Sequence, residues 1–168
     1  MHTEQITKHH PDSERVRALY EASFPEQERH PFELLLDETK TSMELFGFYE
    51  DTLFCGFAAL LNWQDISHIV YFAVPPELRG QGVGSRVLQT IHNAKRGQRI
   101  IVDIEQECVG CDNPEQRIRR RQFYLRNGYQ PTEIAYHWHG DDYIILSHGG
   151  PLTHAEFIGF WDGLQFVV

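Results

Sequence analysis

The sequence predicts a mixed α+β domain in which helices flank one sheet. Strand-type runs and helix-type spacings alternate along the chain, and no repeat, linker or low-complexity stretch divides the 168 residues. Apolar residues make up 41% and aromatics 12%, enough for a real core. The expected order is β-α-α-β-β-β-α-β-α-β-β-α, one domain over 1–168 with 153–165 as a helical tail.

Ile6 to Lys8 reads as a short first strand. Asp12 or Ser13 offers an N-cap, and Val16, Leu19, Tyr20 and Phe24 follow at helical spacing before Pro25 stops the helix. Phe32 to Glu38 predicts a second short helix. Aromatic-rich runs on either side of Glu50-Asp51-Thr52 are a hairpin signal. Ile66 to Val74 is a strand closed by Pro75-Pro76, which cannot extend a ladder. Val83, Val87, Leu88 and Ile91 mark the buried face of the next helix. Ile100 to Ile104 is a β-branched run of the kind buried in a parallel pair. Glu115 to Asn127 predicts a helix ended by Gly128. Tyr129 to His139 and Asp142 to Leu146 make a last hairpin. Thr153 with Glu156 forms a capping box ahead of Phe157, Phe160, Trp161 and Leu164, whose apolar face covers the sheet or meets a second subunit.

The formal charge is −9, which argues against a nucleic-acid-binding surface and favours cationic partners such as amines. No apolar run approaches membrane-spanning length and the start has no signal core, so a cytoplasmic protein with no membrane partner is the expectation. Cys55, Cys108 and Cys111 make no closed disulfide framework, in keeping with a reducing compartment. Cys108-Val109-Gly110-Cys111 lacks two further ligands at suitable spacing, and it reads as an incidental loop, with no metal expected.

The informative stretch is Arg79-Gly80-Gln81-Gly82-Val83-Gly84-Ser85, between a strand and a helix. Its glycines let backbone approach a ligand, and a helix N-terminus offers unpaired N–H groups to a phosphate. Tight strand–helix packing alone commonly explains one or two glycines, and three alternating ones after an arginine argue against it. A dinucleotide turn has Asp103 at a suitable distance, yet the spacing is G-x-G-x-G and Pro75 to Arg79 separates strand from glycines.

Val74 to Gly84 resembles the cofactor motif of the GNAT superfamily of N-acetyltransferases, Q/R-x-x-G-x-G/A, with Arg79, Gly82 and Gly84 matching directly. Phe123-Tyr124-Leu125-Arg126-Asn127-Gly128-Tyr129 resembles the second motif, in the right order. The resemblance implies a mostly antiparallel twisted sheet with one splayed parallel pair and acetyl-CoA as cosubstrate. It places the pantetheine arm on the backbone of Phe72, Ala73 and Val74 and the pyrophosphate on Arg79, Gly80, Gln81, Gly82, Val83, Gly84 and Ser85. Arg117 stands where members often carry Asn, and it is a candidate for the CoA phosphates.

The implied chemistry is direct attack of an amine on the thioester. Tyr124 is the candidate acid for the departing thiolate. His68, six residues before Val74 and on the same face by period-two counting, is a candidate base, with Glu105 as rival. Glu26, Glu28, Asp37 and Glu38 fall where the family commonly shapes its acceptor pocket. The acceptor is a primary amine of a small molecule, peptide or protein, and a homodimer is left open. A non-catalytic acyl-CoA sensor is the alternative, followed by a nicotinamide-dependent oxidoreductase.

Overall fold

The computed structural model describes residues 1–165. In chain order the elements are β1 (His2–Gln5), α1 (Ser13–Ser23), α2 (Phe32–Leu35), β2 (Met43–Glu50), β3 (Leu53–Trp63), β4 (Ile66–Ala73), α3 (Val83–Ala94), β5 (Arg99–Glu105), α4 (Pro114–Arg126), β6 (Gln130–Trp138), β7 (Asp141–His148) and α5 (His154–Gln165). The strands form one seven-stranded sheet, β1-β2-β3-β4-β5-β7-β6, antiparallel except for the β4–β5 pair. The expected element order and the mixed sheet with one parallel pair are therefore present.

Alternation along the strands sends side chains to two layers. Ala58, Leu60, Ile100, Val102 and Ile104 face α3 and α4, where Val83, Val87, Leu88 and Ile91 are buried against them. Each of these valine, leucine and isoleucine side chains contributes roughly 1.5–3 kcal/mol through burial. Phe57, Ala59 and Ile101 face the opposite way, toward α1, α2 and α5. The tail helix covers its own sheet: Phe160 and Leu164 are buried, and α5 runs so close to β3 that a Cβ at Gly163 would stand 2.1 Å from the Trp63 ring. Its predicted capping box is formed, with Thr153 Oγ1 accepting from Glu156 N at 3.2 Å and Glu156 Oε2 accepting from Thr153 N at 2.8 Å. No helix among the described residues is long and apolar enough to cross a membrane.

Three expectations are corrected. The first strand is His2–Gln5 rather than Ile6 to Lys8, pairing with β2 from His2↔Tyr49 to Gln5↔Phe46. It is an exposed edge strand held by backbone bonds, so it carries no apolar pattern, and buried Ile6 is the anchor at its end. Helix α2 stops at Leu35, because Asp37 Oδ1 takes Thr39 N at 3.0 Å and Thr39 Oγ1 at 2.6 Å, a turn that competes with helix. Cys108 and Cys111 are no incidental pair. They are joined in a disulfide, with Cα atoms 5.9 Å apart, across a turn that Gly110 closes at φ 85°, while Cys55 is free and buried. Cysteine usage thus gives no argument for a reducing compartment.

A partly buried histidine pair on the α3 side makes the fold acid-sensitive. His92 and His148 stack with centroids 3.7 Å apart, and His92 Nε2 lies 3.2 Å from the Tyr129 hydroxyl. Burial, and then the neighbouring His148, pushes His92 down to about 4. Between pH ~6.5 and ~4 the unfolded chain binds a proton here that the fold does not, so stability falls on acidification through that window. The ring is only partly buried, and screening reduces the effect to the order of 1 kcal/mol. Melting the parent and His92→Gln at pH 7 and pH 4.5 should show the parent losing a few degrees more than the variant. An equal loss in both would assign the acid sensitivity elsewhere.

Candidate active site

The central feature is a split in the sheet. Strands β4 and β5 pair only at Ile66↔Arg99, Ser67↔Ile100 and His68↔Ile101, and beyond those residues they diverge. A bulge helps to bend β4 away: Ala59 faces Tyr71 and Leu60 faces Ile69, so Val70 is the extra residue. The resulting cleft, about 1490 Å³, is lined by β4 from His68 to Ala73 and by Val74 beyond it, by Val102, Asp103 and Glu105 of β5, and by Phe123 and Tyr124 of α4.

The glycine turn adjoins this cleft at Arg79, its one lining residue. After Pro75 and a single 3₁₀ turn at Pro76–Leu78, Gly80 (φ 75°) and Gly82 (φ 73°) take left-handed conformations, and Gly82 is the N-cap of α3. A side chain at either position would be strained. The first turn of α3 carries no acidic residue, so its free N–H groups and partial positive charge are open to an anion. Arg79 Nε donates to the Val74 carbonyl at 3.0 Å, which ties the turn to the end of β4. Gln81 Nε2 donates to the Glu77 carbonyl at 2.8 Å. Val83 packs into the core, so only its backbone serves the turn, and Ser85 is half-buried. Gly84 lets α4 approach: a Cβ there would meet the Phe123 ring at 3.2 Å, and Phe123 stacks on Phe72.

Tyr124 lies on this α3–α4 side and lines the cleft. Burial pushes its phenol well above the usual range, with the Arg120 charge opposing and the Asp103 charge adding. The phenol therefore stays protonated at neutral pH. Its hydroxyl makes no hydrogen bond among the described residues, which leaves it available to a ligand.

His68 is reached differently from the sequence expectation. The Val70 bulge breaks period-two counting, so His68 faces α5 whereas Phe72 and Val74 face α3 and α4. Its Nε2 lies 2.9 Å from Asp103 Oδ1, and its ring packs edge-on against Phe160 and Trp161. Asp103 also accepts a hydrogen bond from the Tyr136 hydroxyl. Burial alone would raise the Asp103 carboxyl, but the His68 charge and the bonds from His68 and Tyr136 outweigh it and hold the carboxyl below its ordinary value. Sequence reasoning used Asp103 only as a dinucleotide landmark. The available signal was a lone acid inside Ile100-Ile101-Val102-Asp103-Ile104.

Two other candidates are committed to structure. Glu105 is paired with Arg120, and with Arg117 at 3.7 Å. Arg117, which the sequence places among the phosphate contacts, turns inward instead. It is 5% exposed, and its guanidinium binds Asp141 at 2.6 Å, the Gln106 carbonyl at 3.2 Å and Asn113 at 2.8 Å. Arg117 and Tyr124, seven residues apart, share the buried face of α4, so the arginine ties β5, β7 and α4 together rather than reaching outward. Of the four acids near α2, Glu28 lines the cleft, and burial, with Glu105 adding, pushes it up. Among the described residues no group of His, Cys, Asp or Glu is placed to hold a metal ion.

The acetyltransferase (GNAT) domain model matches residues 42–131, more than half of the chain. The protein belongs to the GNAT acetyltransferase family. Among solved structures, a GNAT acetyltransferase from Bacteroides thetaiotaomicron superposes with a TM-score of 0.80 at 23% identity, covering 99% of this chain and 97% of its own. One from Elizabethkingia anophelis, with acetyl-CoA bound, gives 0.58 at 17% over 88% and 96%. An aminoglycoside 6′-N-acetyltransferase complexed with coenzyme A gives 0.64 at 13% over 88% and 96%. At these identities the likeness is one of fold. No curated protein matches the chain in sequence. The matched segment of this GNAT protein runs from just before β2 to the start of β6, and so contains both the glycine turn and Tyr124.

Proposed function

We propose that this GNAT protein is an N-acetyltransferase that moves the acetyl group of acetyl-CoA to a primary amine by direct attack on the thioester. The observation that carries the reading is the protonated, unengaged Tyr124 hydroxyl in a cleft that opens where β4 and β5 part, with a glycine-built anion site adjoining it. The pyrophosphate sits on the N–H groups from Gly80 to Ser85, with Arg79 at the mouth. The pantetheine arm runs beside Phe72, Ala73 and Val74, whose β4 edge is no longer paired with β5. Backbone N–H at the end of β4 polarises the thioester carbonyl.

The proton inventory assigns the side chains. An alkylammonium with a pKa near ~10.4 must lose one proton before attack. Glu105 is already neutralised by its arginines, so that proton passes to the His68–Asp103 pair. Nitrogen then bonds the carbonyl carbon, the C–S bond breaks, and Tyr124 donates its proton to sulfur. The second amine proton restores Tyr124 through solvent. The balance is one acetamide, one thiol and one proton released. The compartment we propose is the cytoplasm, since a donor as charged as acetyl-CoA does not cross membranes unaided.

The test is thiol release on mixing the protein with acetyl-CoA and a panel of amines, with mass spectrometry of the acceptor. Amine-dependent release matched mole for mole by an acetylated amine is expected. Tight acetyl-CoA binding with no release across the panel would instead identify a sensor.

A further inference from the structure

The cleft has two chemically different ends. The α3–α4 end adjoins the glycine turn. The other end, on the α5 side of the sheet, is walled by aromatic rings that touch one another. Tyr136 stacks on Tyr143 at 5.3 Å, Tyr143 meets Trp138 at 6.0 Å, and Trp161 meets Phe157 at 6.3 Å and His68 at 5.5 Å. All of these rings line the cleft, yet Trp138 and Trp161 remain 40% and 37% exposed. Large indole faces left bare in a concavity are surface that an apolar guest can cover.

One carboxylate sits among those rings. Asp103 is gripped by His68 on one oxygen and by Tyr136 on the other, while its side chain is 27% exposed. His68, at 3%, lies behind it, and its Nδ1 is buried with no partner among the described residues. The ring therefore presents one N–H, from Nε2, to the carboxylate. The member of the pair that a guest meets is Asp103.

The other charges of the cleft discriminate further. Glu105 is matched by Arg120, and Arg29 and Lys40 stand on the same walls as Glu28. The cleft has no excess of carboxylates to hold a guest with several positive charges.

We propose that the acceptor is a monocationic primary amine carried on an aromatic body, its ammonium seated on Asp103 and its ring between Trp161 and the Tyr136–Tyr143 stack. The inference rests on the amine-acetyltransferase reading and names the substrate class of that site. The electron-rich faces of Trp161 and Tyr136 favour the same cation that Asp103 binds. Tyr136 and His68 are positioning residues, since both act by aiming the carboxylate.

The test is calorimetric binding to the full chain saturated with CoA, the spent cosubstrate, so that no turnover intervenes. Phenethylamine should bind about tenfold or more tighter than phenylethanol, its neutral counterpart, and tighter than spermidine. Asp103→Asn keeps a hydrogen-bonding group for Tyr136 and should bring the amine-to-alcohol ratio close to one without changing CoA affinity. Trp161→Ala should weaken phenethylamine and phenylethanol by similar factors. Spermidine binding more tightly than phenethylamine, or an amine-to-alcohol ratio that survives Asp103→Asn, overturns the inference while leaving the acetyltransferase reading intact. Failure of CoA itself to bind overturns both.

Discussion

Tyr124→Phe is expected to lower kcat about a hundredfold at neutral pH while changing acetyl-CoA affinity by less than about threefold. The Tyr124 ring is buried against Phe123 and Tyr129, and phenylalanine keeps that packing. The hydroxyl has no partner among the described residues, so its removal orphans no buried group and should leave the melting temperature unchanged. What is lost, on the proposed mechanism, is the proton for the departing sulfur. A thiol has a pKa near ~8.5, so the loss should shrink as pH rises toward that value, where a thiolate leaves unaided. Single-turnover mixing separates this from product release. A variant whose chemical step matches the parent's at pH 7 would remove Tyr124 from the mechanism.

The second large effect concerns the donor. Gly82→Asp should weaken acetyl-CoA about thirtyfold relative to Gly82→Asn, as read by calorimetry. The pair is chosen because aspartate and asparagine have nearly the same shape and both tolerate the left-handed backbone that Gly82 adopts at φ 73°. Each should cost about 1 kcal/mol of stability, and the two variants should melt together. Their difference is one negative charge at the N-terminus of α3, beside the proposed pyrophosphate site. Equal affinities in the two variants would mean that the anion lies elsewhere.

The proposed donor half of the site is legible in the sequence because its geometry is local. Gly80 and Gly82 announce a turn whose left-handed backbone favours glycine, Gly84 makes room for Phe123, and Tyr124 stands at a fixed distance from Gly128, whose φ of 86° ends α4. The proposed acceptor half depends on which way side chains face, and that is decided by partners distant in the chain. The Val70 bulge has no glycine or proline to mark it, yet it turns His68 to the opposite face from Val74. Arg117 and Arg120 look alike in an arginine run, but one turns into the β5–β7 junction and the other faces the cleft. Asp103 joins His68 across 35 positions of chain and Tyr136 across 33, a grouping no local spacing encodes. The edge strand His2–Gln5 was hidden for a related reason: its stability comes from hydrogen bonds to β2 and not from apolar residues of its own.

A crystal structure of the full chain with acetyl-CoA tests the central claim most directly. The account places the pyrophosphate on the N–H groups of Gly80 to Ser85, the pantetheine along the unpaired edge of β4, and the thioester sulfur about 3–4 Å from the Tyr124 hydroxyl. A pyrophosphate bound away from this turn, or a sulfur on the far side of the cleft from Tyr124, would contradict it.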